Sequence, residues 1–366
     1  MEKKKVVNKS VKLMKESPQR ILIVFLSGIG NMILFLPTLQ AIRDRYPDAR
    51  IILWVKQMVV YEMIKNTGLV DEVHLYYQNK FCNLVRHFFV YLKLRKKKYD
   101  IIINTFIEWG YKIRFFTAAL KGNLKLGYKA NSLTDRFYSH LLDYSRKEHE
   151  SDNHFKIAEF FDHNMIKKPP DLRLQDKEEK FARQFFLRNN IPEDRLIVGL
   201  HPGCSEFARN KRWHPEKFAK AADVISEKYD AEIIIFGGKE ETALAKKVTD
   251  CMCSCLPLSL TGKATILETA AVIQKCNLFI SNDSGLMHIA TSLNIPTVAI
   301  FGPTNPTKNG PFGDKHIIVR KDLPCSPCLN YTSGKCRYLK CLKMITVEDV
   351  LNAVEKQLGI FMVAKR

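Results

Sequence analysis

The stretch from Phe279 to Gly302, FISNDSGLMHIATSLNIPTVAIFG, decides the fold of this chain. It predicts a strand, a polar turn, a short helix over 287–293 and a second strand over 297–301, which together make one βαβ unit. The turn, Asn282 to Gly285, follows the carboxyl end of its strand, where backbone N–H groups and a helix N-terminus favour an anionic ligand such as phosphate. Asp283 and Ser284 are both suitable N-cap residues. The same pattern is typical of an ordinary capped helix in an α/β protein.

Two further strand ends upstream favour the ligand-binding interpretation. A strand over 197–200 leads to His201-Pro202-Gly203-Cys204-Ser205, and a strand over 232–236 leads to Gly237-Gly238-Lys239-Glu240-Glu241. In one parallel sheet the three carboxyl ends would meet, and ligands bind at such ends. The turns would supply phosphate donors, Lys211 a cation, and Glu241, or else Glu240, a carboxylate for ribose hydroxyls. We therefore predict a nucleotide site without a Walker lysine loop.

Motifs over most of the chain have an order and spacing that resemble a known family. They are Ile21–Val24, Ser27–Asn31, Pro37, His201–Gly203, Lys211–Trp213, Gly237–Gly238, Thr261–Lys263, Asn282–Gly285, His288 and Phe301–Thr304. Each motif alone is unspecific, but the set resembles glycosyltransferase family 9, the heptosyltransferase-like enzymes of bacterial surface polysaccharide assembly. The resemblance implies a GT-B fold, with two Rossmann-like domains whose parallel sheets face across a cleft. It also implies inverting transfer of a sugar, with a heptose type favoured, from a nucleotide diphosphate donor to a lipopolysaccharide-core or related surface glycolipid.

Because HPG, GGKEE and NDSG all end strands of one predicted sheet, we place donor binding in the second domain. The donor residues are Gly203, Ser205, Lys211, Gly237, Gly238, Glu241, Asp283, Ser284, Gly285 and His288. Lys211 would neutralise the diphosphate leaving group, whose negative charge grows in the transition state. His288, one turn after Ser284, either faces the diphosphate or packs within its helix, and Trp213 is expected in the core. Because the sequence offers no DXD-type carboxylate pair, we expect no catalytic metal or other catalytic cofactor.

The first turn of the chain, Ser27 to Asn31, is assigned to the acceptor side. Gly28 and Gly30 permit positive φ and close backbone approach, but Ile33 replaces the third glycine of a dinucleotide fingerprint and argues against NAD. In the family, the position of Asn31 typically holds an aspartate proposed as the catalytic base. An asparagine amide is not a base near neutral pH, so Asn31 is expected to position the acceptor. Glu108 is the substitute base, or else an exposed loop glutamate.

The predicted domains follow the alternation of strands and helices. Residues 1–20 form a basic leader, 21–175 an acceptor-side Rossmann-like domain, 176–345 a nucleotide-sugar-binding Rossmann-like domain, and 346–366 a C-terminal helix. In the first domain, strands are expected over 21–26, 50–55, 72–75 and 100–104, in a parallel sheet covered by helices. Lys167-Lys168-Pro169-Pro170 interrupts the regular secondary structure before the second domain. By resemblance, the C-terminal helix packs back on the first domain.

The net charge of +20 is unusual for a globular protein of this length. Residues 80–147 hold 15 basic and 4 acidic residues, with aromatic residues between them. Such a surface suits the inner leaflet of an anionic membrane or a phosphorylated glycolipid acceptor, although a merely solvated basic face has the same composition. No nucleic-acid motif accompanies the charge, so we expect no nucleic-acid partner.

Polar residues interrupt the uncharged stretch 21–42, which argues against a membrane span. The expected location is cytoplasmic, peripheral at the inner face of the membrane.

Four of the ten cysteines cluster near the C-terminus as Cys325-x2-Cys328-x7-Cys336-x4-Cys341. The first pair has the spacing at which two thiolates share one metal, so the set is compatible with one structural zinc. The second pair is looser than a standard zinc ribbon, and reduced cysteines remain the alternative. Stable disulfides do not fit a cytoplasmic location.

Two interpretations from other functional classes remain open at this stage. The asparagine at position 31 is compatible with a catalytically weak nucleotide-sugar-binding protein that organises a membrane polysaccharide pathway. The charge alone is compatible with a nucleic-acid-binding protein. Release of sugar from a nucleotide sugar in the presence of acceptor would separate both from a transferase.

Overall fold

A computed structural model of the chain describes residues 18–75, 81–105, 111–328, 336 and 338–364. The strands are β1 Arg20–Phe25, β2 Arg50–Val55, β3 Glu72–Leu75, β4 Lys98–Asn104, β5 Lys121–Tyr128, β6 His140–Leu142, β7 Ile197–His201, β8 Glu232–Ile235, β9 Leu258–Ser259, β10 Leu278–Asn282, β11 Thr297–Ile300 and β12 His316–Val319. The α-helices are α1 Ile29–Arg45, α2 Met58–Ile64, α3 Phe81–Lys96, α4 Tyr111–Ala118, α5 Glu150–Phe161, α6 Asp176–Arg188, α7 Pro215–Tyr229, α8 Thr242–Cys251, α9 Ile266–Ile273, α10 Gly285–Ser292, α11 Pro306–Asn309, α12 Lys340–Lys343 and α13 Val347–Ala364. Short 3-10 helices cover Leu133–Phe137, Glu206–Lys211 and Lys239–Glu241.

The first sheet is parallel throughout, with the strand order β3-β2-β1-β4-β5-β6. Its central strand β1 is an unbroken apolar run whose last five residues are fully buried, as expected for a strand covered on both faces. Strands β5 and β6 and helix α5 are absent from the sequence-based prediction. In β5 the lysines and glycines interrupt the apolar pattern, so hydrophobic periodicity does not predict a strand there.

The second sheet is also parallel, with the order β12-β11-β10-β7-β8-β9. The four strands expected from the sequence, β7, β8, β10 and β11, form its centre. The two edge strands were missed: β9 has only two residues, and β12 is less buried than the central strands. Trp213 lies in the core of this unit with no exposed surface, as predicted.

The chain divides into two compact units, residues 1–170 and 171–366. Each has its own six-stranded sheet, and together they give the α/β, two-Rossmann-domain fold expected from the sequence. Helix α13 contributes Val350, Val354 and Leu358 to the core of the second unit, beside α7 and β12. Its contact with the first domain stays a prediction. Among the described residues, no helix combines the length and the hydropathy needed to cross a bilayer.

Candidate functional site

Three neighbouring strands of the second sheet bring the predicted donor motifs together. Strand β7 pairs with β10 on one side and with β8 on the other. The loops after these strands are therefore adjacent, and they carry HPG, GGKEE and NDSG. This confirms that the three motifs belong to one edge of one parallel sheet, the edge at which α/β proteins bind ligands.

Asn282, the last residue of β10, holds the loop after β7 at two points. Its side-chain oxygen accepts from the backbone N–H of Trp213 at 2.9 Å, and its amide group donates to the carbonyl of Pro202 at 2.7 Å. The side chain is fully buried. Because both ends of the amide are used, the segment that carries Lys211 is tied to the segment that carries Gly203.

Lys211 and Asp283 form an ion pair at the start of helix α10. The Lys211 Nζ lies 3.1 Å from Asp283 Oδ2, and both side chains are largely buried. Ser284, not Asp283, is the N-cap residue, since its Oγ accepts from the N–H of Met287 at 3.2 Å. The site therefore combines a positioned cation, a hydroxyl and the N-terminus of α10, an arrangement that favours a phosphate.

His201 connects Ser284, at the N-terminus of α10, to Glu241. Its Nδ1 lies 2.8 Å from Ser284 Oγ, and its Nε2 lies 3.2 Å from Glu241 Oε2. A carboxylate only accepts, so Nε2 carries a proton and donates to Glu241, while Nδ1 shares a hydrogen bond with the Ser284 hydroxyl. Sequence analysis gave no role to His201, although the HPG motif contains it.

Glu241 is the better placed of the two ribose candidates. Its side chain lies against Gly203, where an added Cβ would overlap the carboxylate, and it accepts from the N–H of Gly238 at 2.9 Å. Burial opposes its ionisation, but His201, the Gly238 N–H and Arg212 outweigh burial and lower the pKa of Glu241. Glu240 is exposed. Glu241 is thus a charged hydrogen-bond acceptor, fixed in position at the carboxyl end of the second sheet.

The remaining predicted donor residues differ in exposure. An added Cβ at Gly237 would press against the side chains of Glu241 and Thr261. Gly285 is the first residue of α10. His288 is buried one turn further along this helix, whereas Ser205 is exposed at the start of the 3-10 helix Glu206–Lys211.

The first unit places Asn31 in the first turn of helix α1, after the carboxyl end of β1. Gly28 has φ −86° and Gly30 is helical, so neither uses the positive φ that glycine permits. An added Cβ at Gly28 would make only ordinary contacts with the Gln57 side chain, so no group among the described residues requires a glycine there. Glu108 lies outside the described residues.

The cysteine cluster does not assemble a metal site in the described part of the chain, where no group of three or more His, Cys, Asp or Glu side chains is placed to hold an ion. Cys325 and Cys336 are exposed and Cys341 is buried. Burial raises the pKa of Cys341, with smaller contributions of the same sign from Cys336 and Cys325. The structural zinc that the spacing suggested stays a prediction.

Comparison with known proteins shows similarity along nearly the whole chain. Residues 90–338 match the family model described as glycosyltransferase family 9 (heptosyltransferase). Lipooligosaccharide heptosyltransferase 2 of Campylobacter jejuni is 28% identical over 345 residues, covering 92% of this chain and 98% of the relative.

Two solved structures share the fold. A family 9 glycosyltransferase from Veillonella parvula has a TM-score of 0.76 at 24% identity, covering 93% of this chain and 97% of its own. The E. coli heptosyltransferase WaaC with ADP-2-deoxy-2-fluoro heptose has a TM-score of 0.67 at 18% identity, covering 92% and 99%.

Proposed function

This chain belongs to glycosyltransferase family 9 and is a glycosyltransferase, and from that premise we propose that it transfers a heptose from an ADP-activated donor to a lipopolysaccharide core or related surface glycolipid. The choice of ADP-heptose is supported by the E. coli enzyme with an ADP-heptose analogue, which has the same fold. The acceptor class is supported by the C. jejuni relative, named as a lipooligosaccharide heptosyltransferase.

The donor half of the proposal rests on a set of contacts at the carboxyl ends of β7, β8 and β10. Lys211 pairs with Asp283, and His201 contacts both Ser284 and Glu241. The diphosphate would lie at the N-terminus of α10, beside the Lys211 ammonium. Asp283 holds the Lys211 ammonium in place and must share it with the incoming phosphates. Glu241, ionised and at the neighbouring strand end, would accept from the ribose hydroxyls. Departure of ADP builds up negative charge that Lys211 and the helix N-terminus stabilise.

On the acceptor side, we propose that Asn31 orients the attacking hydroxyl through its amide, at the N-terminal turn of α1. A carboxylate must still accept the proton, because an amide does not. Glu108, which follows β4 in sequence, keeps this role as a proposal. We further propose that the protein works at the inner face of the cytoplasmic membrane, where a glycolipid acceptor would be anchored.

A transfer assay with ADP-heptose and a lipopolysaccharide-core acceptor tests the proposal. Lys211→Ala and Asp283→Ala should each weaken ADP binding by about tenfold or more in calorimetry and lower transfer, with thermal unfolding close to wild type. Lys275→Ala, at an exposed lysine of the same unit outside the motifs, is the matched control and should change neither. Unchanged ADP affinity in both site variants would rule out this donor site.

The second candidate is a nucleotide-sugar-binding protein with little catalytic power, and Asn31 is the observation that favours it. The same assay separates the two. Tight ADP-heptose binding without sugar release in the presence of acceptor would establish the binding protein and exclude the transferase.

A further inference from the structure

Three large apolar side chains of the first unit lie together in solvent. Leu133 is 81% exposed, Phe115 58% and Phe137 38%. The rings of Phe115 and Phe137 meet edge to face, with centroids 6.3 Å apart. Phe115 belongs to α4, and the other two belong to the 3-10 helix Leu133–Phe137. We call these three residues the Leu133 patch.

A buried arginine holds this patch in its exposed position. Arg114 donates to Thr134 Oγ1 at 2.8 Å, to the carbonyl of Tyr128 at 2.9 Å and to Asp135 Oδ1 at 2.6 Å, and it is only 2% exposed. Its guanidinium also stacks over the Tyr138 ring at 4.5 Å. Thr134 and Asp135 both belong to the 3-10 helix, so this turn is pinned from inside while Leu133 and Phe137 face water. Displaying apolar area in this way costs free energy unless a partner covers it.

The charge around the patch is strongly basic. Residues 111–147 contain eight basic and two acidic residues. One of the two acids, Asp135, is already paired with Arg114. Arg136 is exposed, and its guanidinium lies 5.0 Å from the centre of the Phe137 ring. Lys129 is exposed next to Tyr128, whose carbonyl accepts from Arg114. An apolar surface flanked by cations is complementary to anionic headgroups above a hydrocarbon interior.

We propose that the Leu133 patch is the membrane-docking surface of this protein. Leu133, Phe137 and Phe115 would enter the headgroup region of an anionic leaflet, with Lys129 and Arg136 against the lipid phosphates. The proposal rests on the proposed function in one respect: a glycolipid acceptor would be anchored in that same leaflet.

The position of the patch in the first unit agrees with that role. Arg114 contacts Tyr128, the last residue of β5, so the patch adjoins the carboxyl edge of the first sheet. Asn31 follows the carboxyl end of β1 at the same edge. Between them, Asn104 at the end of β4 donates to the hydroxyl of Tyr138 at 2.7 Å. Docking through the patch would therefore bring the acceptor side of the protein to the lipid surface.

Co-sedimentation with phosphatidylcholine vesicles, with and without phosphatidylglycerol, tests the surface. The wild type should bind the anionic vesicles and be released as salt screens the charges. The double variant Leu133→Ser, Phe137→Ser should lose about tenfold or more in binding, because two apolar side chains no longer enter the bilayer. The double variant Lys129→Glu, Arg136→Glu should lose a comparable amount and bind with little salt dependence.

Leu187→Ser with Leu256→Ser is the matched control, since both leucines are about as exposed as Leu133 but lie in the second unit. This variant should bind vesicles like the wild type. Sugar transfer to a delipidated, soluble acceptor should be unchanged in every patch variant, so that loss of docking is distinguished from failure of the transferase. Unchanged vesicle binding in the Leu133 and Phe137 variant would overturn the proposal. A change in self-association without a change in vesicle binding would overturn it in favour of a second copy of the chain as the occupant.

Discussion

At the level of single residues, His201 connects the two halves of the proposed donor site. Both ring nitrogens are engaged, one with Ser284 at the N-terminus of α10 and the other with Glu241 after β8. The imidazole is almost completely buried. A nucleotide that contacts both Glu241 and Ser284 would therefore meet side chains whose positions are set by one histidine.

Replacement of His201 tests this positioning role. His201→Ala should weaken ADP binding by about tenfold, because a hydrogen bond to a buried carboxylate is lost. His201→Gln should recover most of the affinity, since its amide can donate to Glu241 and accept from Ser284. Calorimetric titration of both variants gives the result. Equal losses in the two variants would indicate that the cavity left by the ring, and not the hydrogen bonds, is responsible.

Asn31 is the second residue whose chemistry can be tested alone. If it only orients the acceptor, Asn31→Ala should reduce transfer modestly, whereas Glu108→Gln should reduce it by about a hundredfold to ten-thousandfold, the usual range for a lost general base. Asn31→Asp should raise the rate by placing a carboxylate beside the acceptor. Single-turnover measurements separate the chemical step from binding. Wild-type turnover in Glu108→Gln would remove Glu108 from the mechanism.

At the level of elements, the edge strand β3 depends on one carboxylate. Glu72 accepts from Lys97 at 2.9 Å and lies 3.1 Å from His74 Nε2 and 2.7 Å from Arg50. Burial alone would raise its pKa, but these three partners outweigh burial and lower the pKa of Glu72 to about 2. Strand β3, at the end of the first sheet, is thus held partly by charge.

Glu72→Gln should destabilise the protein at neutral pH by about 1 kcal/mol, a modest amount because the partners are partly exposed. The folded-state pKa is lowered, so the wild-type advantage is complete above the unfolded value near 4.5 and is lost as the pH falls through about 2. Denaturant unfolding from pH 7 down to pH 3 measures this. Glu193→Gln, at an exposed position, is the control and should show no such convergence. A Glu72 variant whose deficit stays constant across this range would contradict the assignment.

At the level of the whole molecule, the proposed donor and acceptor residues fall in different units. All proposed donor residues that the structure brings together belong to residues 171–366, and Asn31 belongs to residues 1–170. ADP lacks the sugar and the acceptor, so it should act on the second unit alone.

Hydrogen–deuterium exchange of the intact protein checks this division. With ADP bound, exchange should slow in the loops over 201–213, 236–242 and 282–287, because backbone N–H groups there become protected. Peptides over 25–32 in the first unit should exchange as in the free protein. Protection at 25–32 without protection at 282–287 would place the nucleotide in the other unit.

The sequence alone determines the βαβ unit over 279–302 and the chemistry of its turn, because local apolar runs, capping residues and glycines are sufficient to set those elements. It also predicts β1, β2, β3 and β4 within one or two residues. Strands β5, β6, β9 and β12 were missed, since short or lysine-interrupted strands are stabilised by pairing with distant neighbours and leave little local pattern.

Only the tertiary structure decides which strand ends are neighbours. The order β10-β7-β8 places Glu241 beside His201 and His201 beside Ser284, although the first two residues are 40 positions apart and the others 83. The same holds for the Arg114 contacts that expose the Leu133 patch. Periodicity and motif spacing describe what each segment can form, whereas these contacts depend on sheet order and on the packing of segments far apart in the chain.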